Sequence, residues 1–513
     1  MILGENIGSV FSKGREMQRV YSKGKLVWER TPIDYSIRPF TVKAINDTVS
    51  VKISNSFKYS INGNEWVQSD STNTIQLNKK DIVSIITTNT TQCSIKGLSD
   101  VSGNIMSLIY GDDFIGQTVW SMSGQASASK GFFYYSDIRN AKNLVLPATT
   151  LAERSYENMF AYCDWLETAP ELPATTLTYR CYYGMFYHCS KLTTPPVLTS
   201  TTLAPYCYGG MFQFCESLKT APELPATTLA EGCYDHMFWS CNNIIPPVLP
   251  ATTLAPYCYA HMYRDTHLTT PPVLPATTLA PYCYQSMFYE CDFTTAPELP
   301  ATTLAEGCYD GMFAYCDSLT TPPVLPATTL AEGCYVYMFE GCSKLTTPPV
   351  LPATTLASGC YGGMFYGCTS LKRAPELPLT KLASGCYGSM FYGCTSLTTA
   401  PELPATTLAE GCYASMFYGC TSLTTAPELP ATTLVNKCYC VMFYNCRKLK
   451  TIKCYATAIE EDTKSDNVFS YPAYQPSHWT TGVAYGGTLV CKRSFASTLK
   501  KYIPDSWTIE YLD

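Results

Sequence analysis

From about residue 145 to 447 one short pattern returns every 25 or 26 residues. A unit that short cannot bury a core alone, so each copy must lean on its neighbours. One of the cleanest copies, from Leu299, reads LPATTLAEGCYDGMFAYCDSLTTPPV. Indexed by their first Cys column, the copies start at Ser155, Cys181, Cys207, Cys233, Cys258, Cys283, Cys308, Cys334, Cys360, Cys386, Cys412 and Cys438, twelve in all. The copies at Cys233, Cys258 and Cys283 are one residue shorter, in a turn where a surface loop tolerates deletion.

Within a copy, Cys308, Tyr309, Met312, Phe313 and Cys316 fall at i, i+1, i+4, i+5 and i+8. That spacing predicts one buried face of a helix of two to three turns. The Leu319-to-Pro326 stretch that follows is short, extended and ended by prolines, which predicts a strand too short to stand alone. A strand plus a short helix in about 25 residues is the signature of a leucine-rich-repeat solenoid. Twelve such strands would make a parallel sheet of about 58 Å. Helices packed about 8–10 Å apart would lengthen the opposite wall and curve the stack, with the strands lining the concave face.

The pattern Phe313, Cys316, Leu319 and Leu325-Pro326 resembles that of BspA-like leucine-rich repeats, over about 300 residues. The flanks resemble it too: GNIMSLIYGDDFIG at 103–116 before the array, and LKTIKCYATA, GVAYGGTLV and IPDSWTIEYLD after it, are similar to the caps of such repeats in proteins of gut Bacteroidales and their phages. Caps are also a physical requirement, because an open rung end invites edge pairing.

Ahead of the array, residues 37–101 alternate in short β-rich runs, with Asn62-Gly63 as a hairpin signal, which predicts a small β-sandwich. At the start, Val10-Phe11-Ser12-Lys13-Gly14 returns as Val20-Tyr21-Ser22-Lys23-Gly24, a tandem hairpin. Thirty residues cannot bury a core alone, so this segment is expected to dock on something else. It resembles the VYSxGxxVW openings of phage tail and baseplate-associated proteins, which implies virion docking through Val10, Phe11, Val20, Tyr21 and Trp28. The expected fold is mainly β with short helices. Its parts are a docking hairpin segment (1–34), an Ig-like β-sandwich (35–116), a cap (117–146), the solenoid (147–447) and a β-rich C-terminal cap (448–513).

The chemistry expected of this chain is sparse. Charged residues make up 15%, against about 25% in an ordinary soluble protein, and 35 Lys+Arg against 41 Asp+Glu leave a net charge of −6. Nothing there neutralises phosphates, so nucleic acid is not an expected partner. No apolar run approaches a membrane span, and no signal peptide is visible at the N-terminus.

Of 26 cysteines, eleven fall in the first repeat column and eleven in the second. Eight residues along a helix is about 12 Å, beyond the reach of a disulfide. Buried free thiols made in a reducing cytoplasm are therefore expected, and no CxxC pairing implies metal. Cofactors and metals are accordingly not expected. His236 and His261 share a column in adjacent copies, near Asp235, Asp265 and His267, and are expected to be solvated, a metal or carbohydrate contact being the alternative. Glu171, Glu223, Glu298, Glu376, Glu402 and Glu428 share a column with valines, so no acid/base pair stands out and no enzymatic activity is expected.

The copies differ mainly in two outward pairs, after Cys-Tyr and after Met-Phe. Early copies place Tyr183, Tyr187, Phe214, His236, Trp239, His261, Arg264 and Tyr289 there, whereas the copies at Cys360, Cys386 and Cys412 settle to Gly/Ala-Gly/Ser and Tyr-Gly. Aromatic, His and Arg side chains on a rigid scaffold are the composition of a binding surface, which makes these eight the expected receptor-binding residues. Neutral drift with recent duplication of the late copies would give the same contrast. Tyr206, Tyr257 and Tyr282, just before the first Cys, form a second candidate surface for stacking on sugar rings.

The expected function is that of a non-enzymatic adhesin. Its first form is a phage tail fibre, assembled in the host cytoplasm with other tail or baseplate proteins and present in several copies per particle, reading a bacterial surface polysaccharide or protein. A secreted BspA-type surface adhesin and a purely structural virion component are the alternatives.

Overall fold

The computed structural model describes residues 10–12, 15–17, 19–22, 25–29, 33–119, 131–460, 465–469 and 478–512. The chain is mainly β, with a few short helices. Near the N-terminus β1 (Val10–Ser12) pairs antiparallel with β2 (Arg15–Met17), and β3 (Arg19–Ser22) with β4 (Lys25–Glu29). Ser12 lies opposite Arg15 and Ser22 opposite Lys25. Val10, Phe11, Val20, Tyr21 and Trp28 lie on these strands.

Next come β5 (Phe40–Ala44), β6 (Val49–Ile53), β7 (Phe57–Ile61), β8 (Val67–Ser69), β9 (Thr74–Leu77), β10 (Ile82–Thr87), β11 (Cys93–Lys96), β12 (Ser99–Asn104) and β13 (Ile138–Val145). They form two sheets, ordered β13-β12-β5-β10-β7-β8 and β11-β6-β9. Strict alternation places Phe40, Val42 and Ala44, and likewise Val49, Val51 and Ile53, on inner faces with no more than 1% exposure. Asn62 and Gly63, both at positive φ, turn β7 toward β8. The strand β13 has two roles. It pairs parallel with β12 in the sandwich, and through Asn140 it bridges to Thr168 of the first repeat, so the sandwich sheet continues into the array.

The repeat itself departs from the expected helix. Between Cys308 and Cys316 no N–H bonds to the carbonyl four residues back. Asp310, Met312, Ala314 and Cys316 donate to residues three back, at 3.0–3.2 Å, while Tyr309, Gly311, Phe313 and Tyr315 donate to Cys334, Val336, Met338 and Glu340 of the next copy. Every second N–H therefore closes a turn and every other one ties two rungs together. The segment is a run of consecutive β-turns with a left-handed residue every fourth position, Gly307, Gly311 and Tyr315 in this copy. The physical clue is the spacing of the core residues, which is four and not 3.6: over four residues a helix would rotate its face by about 40°, whereas this coil returns to the same direction. The curvature expected from a helical outer wall thus loses its premise.

The expected strands are also reduced. Along most of the array the copies meet through single parallel bridges, such as Thr168 to Thr194 and Thr303 to Thr329, because the intervening prolines have no N–H to continue a ladder. True strands appear beyond the array, where the partner segments carry no proline. β14 (Thr425–Leu429), β16 (Thr451–Cys454), β18 (Thr488–Lys492) and β19 (Thr508–Leu512) make a parallel sheet in that order, and β15 (Thr433–Leu434) pairs with β17 (Ala458–Ile459). The register slips between β14 and β16 at the segment holding Pro427. Helices α1 (Ser465–Phe469) and α2 (Ala496–Leu499) lie between these last strands in the chain.

Two aromatic ladders run the length of the core. Phe40 of the sandwich stacks on Phe133 at 5.6 Å, Phe133 on Phe160 at 5.2 Å, and the series continues copy by copy through Phe212, Tyr263 and Phe391 to Phe443. A parallel ladder begins at Tyr156 and ends at Tyr439. Both finish on Trp479, which is fully buried 6.2 Å from Tyr439 and 5.9 Å from Phe443. The sandwich and Trp479 are thus the physical caps: each covers an aromatic face that the terminal copy would otherwise leave wet.

All 26 cysteines are buried and free. Those of the second column donate S–H to a backbone carbonyl of the preceding copy, for example Cys316 to Phe288 at 3.0 Å and Cys394 to Phe365 at 3.1 Å. The thiol is small enough for a core shared between rungs and still satisfies a carbonyl there. Burial pushes these thiols up, Cys291 to about 12 and Cys446 to about 12, so they remain protonated and unreactive.

Candidate functional site

In every copy the left-handed residues fall at one, five and nine positions along the turn coil, just before the first Cys and at the second member of each outward pair. The fold imposes this: the chain must reverse at each corner, and an L-residue there costs about 1–2 kcal/mol relative to glycine. The variable pairs therefore sit on a backbone that favours glycine. His236, His261 and Phe214 occupy left-handed positions at φ 58°, 55° and 61°, whereas Tyr187, Trp239, Arg264 and Tyr289 sit one residue earlier, in ordinary backbone.

The structure brings most of the expected receptor-binding residues together in one stripe. Tyr187 meets Phe214 edge-on at 5.6 Å, and Phe214 meets Trp239 at 5.7 Å. The Arg264 guanidinium lies over Trp239 at 5.2 Å and over Tyr289 at 3.8 Å. Such cation–π contacts are worth about 0.5–2 kcal/mol each. His236 joins through Trp239 at 5.1 Å. Tyr183 is apart from this stripe, held 3.7 Å from the Arg180 guanidinium with its ring under Gly209. These side chains are half-buried by one another rather than free in solvent.

The stripe is longer than the sequence reading found. It extends upstream through Tyr162 to Tyr135, stacked at 4.5 Å, and downstream from Tyr289 to Tyr315 at 5.1 Å. A second stack, Tyr366, Tyr392, Tyr418 and Tyr444, follows at 4.3–4.5 Å spacing. The Tyr-Gly pairs of the late copies already hold Tyr366, Tyr392 and Tyr418, whereas Tyr162 and Tyr315 lie in the adjacent left-handed column, so their place in the stripe depends on how the rungs meet. Arg264 is the cation placed between aromatic rings in this stripe. Burial pushes the Tyr187 hydroxyl up to about 12, with Tyr162 adding to the effect.

Tyr206, Tyr257 and Tyr282 also take left-handed positions. Tyr257 and Tyr282 stack at 5.2 Å, and the rings of Tyr206 and Tyr282 lie against Gly232 and Gly307 so closely that a Cβ there would come within 2.2 Å of a ring carbon. Their hydroxyls donate to Glu231 and Glu306. One face of each of these two rings is thus already used by the protein.

The expectation of solvated histidines is corrected for His236 and His261, whose side chains are 27% and 21% exposed, and Asp235 is 17% exposed. The imidazole rings stack at 4.2 Å, with His236 Nδ1 2.6 Å and His261 Nδ1 3.4 Å from Asp235 Oδ1. His267 is shallower, 50% exposed between Asp265 and Asp292. Burial opposes ionisation of Asp235, but its bonds to the two histidines outweigh that and hold it below the ordinary carboxylate value. Burial lowers His261 as well, more than Asp235 raises it.

Val197, Val248, Val273, Val324 and Val350 are 60–82% exposed and interleave with Glu171, Glu223 and Glu298, whereas Glu376, Glu402 and Glu428 follow in successive rungs. Among the described residues no helix is long and apolar enough to cross a membrane. Neither a curated protein nor a solved structure matches the chain. Residues 336–471, the later copies and the start of the C-terminal cap, match six copies of the BspA type leucine rich repeat region.

Proposed function

We propose that the chain is a non-catalytic adhesin: a solenoid of twelve copies that displays the Tyr135-to-Tyr315 stripe to a bacterial surface glycan, a surface protein being the other outcome of the test. The observation that carries this reading is the stripe itself, in which aromatic rings and one guanidinium from consecutive rungs are held in register by mutual stacking. Side chains ordered before binding lose little entropy on contact, and repetition adds avidity when several copies share a particle. The BspA-type region supports the repeat-adhesin class. Placement on a phage tail, with the two N-terminal hairpins docking to other tail or baseplate proteins, rests on the resemblance of the opening VYSKGKLVW to tail proteins. The absence of catalysis is proposed because valines separate Glu171, Glu223 and Glu298, while Glu376, Glu402 and Glu428, in successive rungs, are exposed and Glu428 is engaged by Lys453 at 2.8 Å.

The test compares binding of the full chain to glycan arrays and intact bacterial cells with that of a variant carrying Phe214→Gly, Trp239→Tyr and Arg264→Tyr, the residues that late copies use at these positions. Because the fold already accepts those residues there, loss of binding in the variant alone supports the stripe as the contact surface. Equal binding moves the contact elsewhere, and no binding by either removes the adhesin reading in favour of a structural role.

A further inference from the structure

We propose that Asp235, His236 and His261 form a site for a divalent transition-metal ion of borderline softness, zinc(II) in the first instance. The inference is independent of the adhesin reading. Among the described residues this is the one set of at least three His, Cys, Asp or Glu side chains whose ligand atoms all lie within 4.8 Å of one another.

The placement is costly in a way that needs an explanation. His236 and His261 occupy the same left-handed column in consecutive rungs, where the late copies carry Gly363, Ser389 and Ser415. The chain has put a bulky side chain on a glycine-favouring corner twice in succession. The result is two imidazoles 4.2 Å apart whose Nδ1 atoms converge on one carboxylate oxygen. Two neutral imidazoles and a carboxylate are a known donor set for zinc, whose bonds of about 2.0–2.2 Å would draw these atoms together around the ion. Binding through Nδ1 would leave the single proton of each neutral imidazole on Nε2, and the net charge of the three ligands, −1, would only partly neutralise the ion. The fourth position of a tetrahedral site would be open to water or to an oxygen of a bound ligand.

Neighbouring groups set limits on affinity. Arg264 is close enough to act on His261 and opposes a cation, while its guanidinium is engaged by Trp239 and Tyr289. Asp265 is occupied by the Ser240 hydroxyl at 2.8 Å and supplies no ligand to this set.

The experiment is zinc chloride titration of the full chain by calorimetry, with metal content after dialysis, alongside His236→Gly/His261→Gly and Asp235→Asn. Glycine is what this corner accepts elsewhere, so the double variant is expected to fold at least as well as the parent, which thermal unfolding without metal checks. All three proteins keep the 26 buried thiols, so any cysteine background is common to them. The expected result is one zinc per chain in the parent, affinity lowered more than about ten-fold in Asp235→Asn, and no specific uptake in the double variant. Cobalt(II) in place of zinc should give a spectrum without a thiolate charge-transfer band. Equal zinc uptake by parent and double variant, a thiolate band, or no uptake by the parent would each overturn the proposal.

Discussion

Between Cys360 and Cys420 three successive rungs fill their left-handed corners with Gly359, Gly363 and Gly367, then Gly385, Ser389 and Gly393, then Gly411, Ser415 and Gly419. Between Cys207 and Cys291 the same corners hold Tyr206, Gly210 and Phe214, then Gly232, His236 and Ser240, then Tyr257, His261 and Asp265, then Tyr282, Ser286 and Glu290. Both blocks share the same buried columns and the same inter-rung hydrogen bonds. The late block therefore shows what the coil requires, and the early block shows what has been added against that requirement. At about 1–2 kcal/mol per L-residue, the early corners carry a cost that late corners mostly avoid, and only contacts made by those side chains can offset it.

If the two blocks share one core, the largest effects should ignore the difference between them. Phe212→Ala in the early block and Phe391→Ala in the late block each remove a fully buried ring stacked on both sides. Each is expected to cost about 3–5 kcal/mol, read from the shift in denaturant midpoint. A clearly smaller loss in one block would mean that the ladders are not equivalent.

The next test separates backbone conformation from packing. Gly359 and Gly363 both sit at φ 59°, but a Cβ on Gly359 meets nothing within 4 Å whereas one on Gly363 would fall 2.3 Å from the Tyr337 ring. Gly359→Ala should cost about 1–2 kcal/mol from conformation alone, and Gly363→Ala clearly more. In a Tyr337→Gly background the two alanine substitutions should become equal; if the gap persists, the ring is not its source.

The third test asks whether early corners repay their strain. Ser415→Gly should gain about 0.5 kcal/mol in melting experiments, relief of strain being partly cancelled by the flexibility of glycine in the unfolded chain. Phe214→Gly relieves the same kind of corner but loses the contacts to Tyr187 and Trp239, so it should destabilise. Equal gains from both would show that the stripe contributes nothing to folding.

The repeat, its buried columns, the free thiols and the β-rich sandwich were legible because apolar spacing and copy number are written directly in the residues. The turn coil was not. Over two turns the four-residue spacing of Cys308, Tyr309, Met312, Phe313 and Cys316 differs little from that of a helix, and the glycines recurring at Gly359, Gly363 and Gly367 are the second clue to the coil. A helix does not want glycine every fourth residue, whereas a left-handed corner does. The strands are shorter than the spacing predicts because the prolines in TTPPV lack N–H groups and so reduce the pairing to single bridges. Convergence of Asp235 with His236 and His261 depends on two rungs meeting, and sequence showed only that the two histidines share a column.

The smallest effect should come from a charge carried by the rung that follows the early block and omitted by the late block. Asp310 occupies the position filled by Gly362, Gly388 and Ala414 in the late rungs, and its carboxylate accepts a hydrogen bond from the Gln285 amide at 2.9 Å. Burial pushes this carboxyl above its ordinary value, the Gln285 bond pulling the other way and Glu340 adding to the rise. A carboxyl raised in the folded state favours folding while it is protonated, so its contribution is complete below the unfolded value and is lost as pH rises through the folded one. At neutral pH the charged Asp310 is therefore a burden. Asp310→Asn keeps an acceptor for Gln285 and cannot ionise. The variant should be slightly more stable than the parent at pH 7, and the gap should close as pH falls toward the ordinary carboxylate range, read as the difference between the two unfolding midpoints across that titration. A gap that is independent of pH would mean that the charge at Asp310 costs nothing, and that the late rungs omit it for reasons other than burial.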